Sequence, residues 1–175
     1  MPARITLLRS TLSGALILAA LSLSAASIDK EPAPRFNAKT TEGEKFTNDS
    51  IKGRVVLLDF WTTWCGYCVQ EASIVDKLNH EFSDKGLLVL AINVGESKKT
   101  VKKYLDEHPR TSKIVMMEDT NLAAMYQANV YPVYVVIDRD GFVAAHQRGA
   151  SGEAGLRRLL ARGGIGKPED SDDDE

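Results

Sequence analysis

Cys65 and Cys68 are the only two cysteines of the 175-residue chain, and they lie close together in the segment LLDFWTTWCGYCVQE. A purely structural disulfide between them would close too short a loop to constrain the unfolded chain much. A structural zinc site needs about four ligands, and the three histidines are scattered without ligand-like spacing. A covalent haem site would need a histidine directly after the second cysteine, where Val69 stands. The pair therefore predicts a reactive dithiol that cycles between thiol and disulfide.

The residues around the pair predict a strand followed by a helix. Residues 54–61, RVVLLDFW, form a nearly continuous apolar run, typical of a central strand covered on both faces. Residues 65–82 then place apolar side chains at helical spacing. Cys65 would lie at the helix N-terminus, where free N–H groups and the helix dipole stabilise a thiolate. We predict that Cys65 is the exposed nucleophile and that Cys68, one turn into the helix, is the more buried resolving thiol.

The rest of the chain alternates between strand-like and helix-like segments. Further strands are predicted at residues 87–94, 113–118, 133–137 and 142–147, the last two joined by the turn sequence DRDG. Helices are predicted at residues 97–108, 120–130 and 152–163, with Asp119 or Thr120 available to cap the second. Strands that first alternate with helices and then form a hairpin predict an α/β fold with a sheet of mixed direction.

The N-terminal segment has the composition of an export signal. Residues 1–26 begin with two arginines, continue with an apolar run and end with small residues, which is the plan of a cleaved secretory signal peptide. An uncleaved membrane anchor and a mitochondrial presequence are the alternatives. Residues 27–34 would then be a linker to a domain at residues 35–163. We therefore expect an exported location such as the periplasm, in an oxidising compartment.

Charge is concentrated at the C-terminus. Removing residues 1–26 takes away two arginines and no acids, so the net charge changes from −2 to −4. Six acidic residues stand among the last seven, EDSDDDE. Such a run predicts that residues 164–175 form a disordered acidic tail. The remaining body is near neutral, which argues against nucleic acid as a partner.

Two motifs and the order of elements resemble a known family. The run VVLLDFWTTWCGYC and the later NVYPVYVVIDRDG resemble the thioredoxin fold, and more narrowly the exported TlpA/ResA-like thiol-disulfide oxidoreductases. The resemblance covers about residues 35–162, including an N-terminal extension and an inserted helix-strand element around residues 96–118. It implies a central mixed sheet flanked by helices, and a protein thiol-disulfide oxidoreductase that needs no bound cofactor or metal.

The resemblance implies roles for two acidic residues near the dithiol. Asp59 interrupts the apolar strand, and a buried carboxylate is costly unless it is paired or protonated. The match to thioredoxins implies that its pKa is raised and that it exchanges a proton with Cys68, whereas the alternative is a satisfied aspartate at a strand end. Glu71 matches the acid of the C-x-x-C-x-x-E pattern, tied in ResA-like proteins to substrate recognition and to tuning the cysteines. Its alternative is an ordinary exposed helical glutamate.

A substrate groove is also implied by the resemblance. Pro132 would be a cis proline that faces the dithiol and presents the backbone of Tyr131 to an extended peptide, whereas the alternative is a trans proline at the start of a strand. Trp64 would pack beside the site, or serve as a core aromatic residue. Gly66 and Tyr67 separate the cysteines as in periplasmic disulfide isomerases, and this pair tunes the direction of electron transfer.

The predicted function is the reduction of protein disulfides, with apocytochromes awaiting haem as candidate clients and a membrane thiol carrier as electron donor. A disulfide isomerase or oxidant is the first alternative. The segment TTWC contains the T-x-x-C pattern of peroxiredoxins, but Leu58 stands where their proline is expected. A dithiol copper-binding module without catalysis is the third alternative, although such proteins typically use C-x-x-x-C with a nearby histidine.

Overall fold

The fold is built on the strand that the apolar run RVVLLDFW predicts. This strand, β3, spans Val55–Trp61, and all seven of its residues are buried. The structure is a computed structural model that describes residues 30–166. The predicted signal peptide and the acidic residues of the predicted tail lie outside the described residues.

Six further strands and four helices complete the described part of the chain. The strands are β1 Asn37–Thr40, β2 Lys45–Thr47, β4 Leu87–Asn93, β5 Lys113–Thr120, β6 Val133–Ile137 and β7 Val143–Arg148. The helices are α1 Gly66–Phe82, α2 Lys98–Glu107, α3 Leu122–Met125 and α4 Gly152–Arg162. None of the helices in residues 30–166 combines the length and apolar character needed to span a bilayer.

The strands form one mixed sheet in the order β2-β1-β5-β4-β3-β6-β7. Strands β3, β4 and β5 run parallel, because α1 and α2 cross back between them. Strand β6 pairs antiparallel with β3, and β7 pairs antiparallel with β6 across the DRDG turn. The predicted thioredoxin fold with a mixed sheet and an inserted helix-strand element, α2 and β5, is therefore confirmed.

Alternate residues of β3 pack into two different layers of core. Val56, Leu58 and Phe60 face α3 and the segment that enters the sheet, whereas Val55 and Leu57 face α1 and α4. Successive side chains of a strand point to opposite faces. Asp59 and Trp61 alternate with Phe60 and therefore point to the same face as Val55 and Leu57, the face that carries α1.

The folded body extends beyond both of its predicted limits. The predicted linker includes residues 30–34, but the backbone of Ala33 donates to Gly141 O at 2.9 Å, and Pro32 bridges to Phe142. At the other end Ile165 is fully buried, so the folded part continues past residue 163. These boundaries differ because apolar residues beyond the predicted limits fill the core.

The predicted helix at residues 120–130 is much shorter in the structure. Thr120 still belongs to β5, Asn121 is the N-cap of α3, and the helix ends at Met125. Gln127 then adopts a left-handed backbone conformation with φ 48°, which a continuing helix does not allow. Asp119, expected as a possible cap, forms an ion pair with Lys98 instead.

Candidate active site

Helix α1 begins at the dithiol. Cys65 occupies the N-cap position, and its Sγ accepts a hydrogen bond from the Cys68 N–H at 3.1 Å. The first N–H groups of a helix have no partner within the helix, so they can bind negative charge. In the reduced protein the same N–H group would stabilise a Cys65 thiolate. The two sulfur atoms are joined in a disulfide in this structure.

Neither cysteine is exposed in the disulfide form. Cys65 is 7% exposed and Cys68 is 4% exposed, so the prediction of an exposed nucleophile is wrong for this state. The sulfur of Cys65 is bonded to Cys68, and the residue packs into a small core cluster with Trp61 and Met116. Cys65 nevertheless lines a surface groove, whereas Cys68 does not.

The groove beside Cys65 carries exposed aromatic side chains. Trp64 is 71% exposed and Tyr67 is 64% exposed, and the Trp64 ring meets the Tyr131 ring edge-on at 5.8 Å between centroids. Trp64 is therefore not a core residue. The groove is lined by Trp64, Cys65, Gly66, Tyr67, Asn129, Val130 and Tyr131. Exposed apolar surface of this kind marks sites of interaction.

The loop before β6 forms the opposite wall of this groove. The peptide bond between Tyr131 and Pro132 is cis, as predicted from the resemblance. The Tyr131 hydroxyl donates to Ala128 O at 3.2 Å, which fixes the side chain against its own loop. A Cβ atom built at Gly66 would meet no atom within 4 Å, so the space above the first turn of α1 is open. Binding of substrate by these residues stays a prediction.

Asp59 is buried on β3, six residues before Cys65, and forms an ion pair. Its Oδ2 lies 2.9 Å from Nη2 of Arg110, and both side chains are only 3% exposed. Burial raises the pKa of Asp59, and the positive charge of Arg110 opposes this rise only in part. The raised pKa agrees with the prediction, and the arginine shows that the carboxylate is paired rather than isolated. Arg110 lies 51 residues further along the chain, in the loop between α2 and β5, and is not predicted from the sequence.

The raised pKa of Asp59 predicts a pH-dependent contribution to stability. The folded state holds the Asp59 proton to higher pH than the unfolded chain, whose carboxyl has the ordinary value of 3.8. Stability therefore falls as the pH rises from this value through the folded pKa, by about 1.4 kcal/mol per pH unit. We expect the parent to lose stability across this window relative to Asp59→Asn, measured by urea unfolding at a series of pH values. A difference that stays constant with pH would contradict the assignment.

Glu71 is buried and holds two neighbouring elements to α1. One carboxylate oxygen accepts from the Tyr134 hydroxyl at 2.9 Å, and the other accepts from the backbone N–H groups of Ser151 and Gly152. The alternative of an ordinary exposed glutamate is therefore wrong, since Glu71 is only 4% exposed. Burial and the nearby Asp59 and Glu71 raise the pKa of Tyr134, so the phenol keeps its proton and remains a donor.

Glu96 fixes the loop that leads into the dithiol. Its carboxylate accepts from the Thr63 backbone N–H at 2.7 Å, from the Thr63 hydroxyl at 2.5 Å and from Asn93 Nδ2 at 2.7 Å. Thr63 stands two residues before Cys65. Glu96 is not predicted from the sequence either, because a glutamate in a polar loop does not indicate hydrogen bonds to Thr63 and Asn93.

Metal ligands do not gather around the dithiol in the described part of the chain. Residues 30–166 contain no group of three or more histidine, cysteine, aspartate or glutamate side chains placed to hold a metal ion. The buried carboxylates of β3 and α1 are paired instead, Asp59 with Arg110 and Glu71 with the Tyr134 hydroxyl. This arrangement suits proton transfer and thiol chemistry.

Comparison with known proteins places the chain among thiol-disulfide oxidoreductases. A family model described as the AhpC/TSA family matches residues 30–146. The thioredoxin-like protein YneN of Bacillus subtilis is 36% identical over 116 residues, which cover 65% of this chain and 67% of YneN. A thiol-disulfide oxidoreductase ResA of Bacillus cereus is 30% identical over 116 residues, which cover 66% of each chain.

Solved structures agree with these relatives. The crystal structure of a thiol:disulfide interchange protein DsbE from Chlorobium tepidum superposes with a TM-score of 0.67 at 28% identity, covering 79% of this chain and 100% of that one. The matched regions include β3, the Cys65–Cys68 pair and α1, which carry the site described above. The chain therefore belongs to the AhpC/TSA family and, within it, to the thiol-disulfide oxidoreductases of the ResA and DsbE type.

Proposed function

We propose that the protein reduces disulfides of other proteins in an exported compartment. The observation that carries this proposal is the position of Cys65, which caps α1, accepts the Cys68 N–H and lines a groove with exposed aromatic side chains. Thiol-disulfide exchange needs an attacking thiolate, a second thiol within reach and access for a substrate disulfide. The site provides the first two directly and the third through the groove.

In the first step the reduced Cys65 attacks a sulfur of the substrate disulfide as a thiolate. A bond forms between Cys65 Sγ and that sulfur, and the other substrate sulfur leaves as a thiolate that takes a proton from water. The Cys68 N–H and the N-terminal end of α1 stabilise the attacking charge. Trp64, Tyr67 and the backbone of Tyr131 before Pro132 hold an extended segment of the substrate.

The second step releases the reduced substrate. Asp59 accepts the proton of Cys68, and the Cys68 thiolate attacks Cys65 Sγ. The enzyme disulfide forms, the mixed disulfide breaks, and the second substrate sulfur leaves. The dithiol has then given two electrons to the substrate. Burial of Asp59 on the α1 face of β3 supports this role, because it raises the pKa of the carboxyl and makes the carboxylate a stronger base than an ordinary aspartate.

The electron donor, the client proteins and the location of the reaction are proposed on the basis of the family resemblance. We propose a membrane thiol carrier as the source of electrons and apocytochromes awaiting haem as clients. The apolar N-terminal segment of the sequence supports export, as a cleaved signal peptide or a retained membrane anchor. A dithiol copper-binding module remains the alternative without catalysis, and a tight stoichiometric copper complex combined with no reductase activity would favour it.

The reduction potential of the Cys65–Cys68 pair tests the direction of electron transfer. We expect equilibration with glutathione mixtures to give roughly −270 to −220 mV, as for a reductase that needs a donor. Tyr67→Pro, which introduces the Gly-Pro pair of reducing thioredoxins, should give a more negative value. A parent potential of roughly −180 to −120 mV would contradict the proposal and favour a disulfide isomerase or oxidant.

A further inference from the structure

We propose that Arg110 is a positioning residue for proton transfer at the dithiol, where it orients Asp59 and stabilises the charged carboxylate that accepts the proton of Cys68. The proposal deepens the function proposed above and depends on it. It assigns a chemical task to the inserted segment between β4 and β5, which supplies Arg110. Four features of the structure support this role: the ion pair, the charges around it, the contacts that hold the arginine, and its contact with Trp61, which packs with both cysteines.

The first feature is the ion pair itself. Arg110 Nη2 donates to Asp59 Oδ2 at 2.9 Å, and neither side chain is more than 3% exposed. A buried carboxylate without a partner would give up its charge by binding a proton. Guanidinium groups stay positively charged in proteins, so an arginine is a suitable partner for a buried carboxylate. Arg110 therefore stabilises the negative charge of Asp59 and opposes the rise in pKa that burial causes.

The second feature is the set of charges around Asp59, which increases the effect of Arg110 on its ionisation. Helix α1 brings two further carboxylates, Glu71 and Asp76, whose negative charges disfavour ionisation of Asp59. Strand β6 brings the neutral phenol of Tyr134. Arg110 opposes the rise in the pKa of Asp59 that burial and these two carboxylates cause. Its removal would leave Asp59 buried beside them without a compensating positive charge.

The position of Arg110 is fixed by its contacts. Its guanidinium lies over the Trp61 ring at 5.4 Å, and its Nε lies 3.9 Å from Asp76 Oδ1. Asp76 also accepts from the Thr111 N–H at 3.1 Å and from the hydroxyls of Thr111 and Ser112. Helix α1, which begins at the dithiol, thus holds the arginine loop in place. Trp61 in turn packs in the same cluster as both cysteines.

This arrangement predicts that Arg110 affects one chemical step and spares the other. Resolution of the mixed disulfide requires the Cys68 thiol to lose its proton to Asp59 before its sulfur attacks Cys65 Sγ. Without Arg110 the pKa of Asp59 would rise further, so the carboxyl would keep its proton to higher pH, and a protonated carboxyl cannot accept the proton of Cys68. The first attack by Cys65 depends on the N-terminal end of α1 and does not use Asp59.

The test separates the two steps with dithiobis-nitrobenzoate, a small disulfide that needs no protein client. Reduced protein releases one thionitrobenzoate when Cys65 attacks and a second when Cys68 resolves the adduct, and stopped-flow absorbance resolves both phases. For Arg110→Met we expect the pH midpoint of the second phase to rise by about one to three pH units. The first phase should stay within about twofold. Arg158→Met, which removes the same charge from an exposed position on α4, should change neither phase.

A second comparison covers the case in which Arg110→Met does not fold. In Asp59→Asn the acceptor is absent, so adding Arg110→Met should leave the second phase unchanged at every pH. Recovery of the fold in this double variant would support the pairing, because both buried charges are gone. A slower second phase in the double variant than in Asp59→Asn, or an unshifted midpoint in Arg110→Met, would overturn the proposal. If the parent shows both phases but does not reduce protein disulfides, the proposed function fails while this assignment stands.

Discussion

Cys68→Ser is expected to convert the protein from a catalyst into a covalent trap for its disulfide substrates. Cys65 can still attack and form the mixed disulfide, but serine cannot displace the substrate sulfur. Turnover with insulin as a test substrate should therefore fall to the uncatalysed rate. The adduct should be visible on a non-reducing gel, disappear on reduction, and have the summed mass of the two partners.

The matched control is Cys65→Ser, which removes one sulfur from the same site. Because the N-cap sulfur lines the groove and Cys68 does not, this variant should neither turn over nor accumulate an adduct. Both variants lack the disulfide, so they differ only in which thiol remains. If the covalent adduct accumulated with Cys65→Ser and not with Cys68→Ser, Cys68 would be the nucleophile and Cys65 the resolving cysteine.

Glu71→Ala is expected to lower the free energy of unfolding by about 3–5 kcal/mol, since it leaves one buried and two partly buried donors without an acceptor, at about 1–3 kcal/mol for a buried one. The affected groups are the Tyr134 hydroxyl and the backbone N–H groups of Ser151 and Gly152. The negative charge at the start of α4 is lost as well. Chemical denaturation of the oxidised protein at neutral pH would measure the change.

Two variants show whether these contacts account for the loss. Glu71→Gln keeps one acceptor oxygen and should lose about half as much stability. Gln70→Ala changes the neighbouring exposed residue of α1 and should stay within about 0.5 kcal/mol of the parent. If Glu71→Ala were as stable as the parent, the three hydrogen bonds would not hold α4 to α1.

The dithiol, β3 and α1 could be predicted because their signals are local. The run from Val55 to Trp61 is apolar without a break apart from Asp59, and the helix after Cys65 repeats its apolar residues at the period of a helix. Such patterns depend on neighbours within one or two turns. The position of Cys65 at the N-cap follows from the junction of the two.

Arg110 and Glu71 could not be predicted in the same way. Arg110 stands in the polar segment EHPRTSK, which reads as a surface loop, and its partner is 51 residues away. Glu71 looks like a solvated residue on α1 until the start of α4 is placed against it. Helix α3 ends early because Gln127 has a left-handed backbone conformation. A glutamine does not indicate such a conformation in the sequence.

Residues 30–33, with which the described part of the chain begins, contact the fold far from the dithiol. Lys30 and Ala33 contact the turn at Asp138 and Gly141, next to the end of β6 that pairs with the beginning of β3. The last described residues lie at the same end, where the Arg139 side chain donates to Gly164 O. Strand β3, roughly 20 Å long at about 3.3 Å per residue, separates this end of the sheet from Cys65. A tether to a lipid surface, a fusion partner or an immobilising tag attached at either end of residues 30–166 would therefore lie at the end of the fold opposite to Cys65.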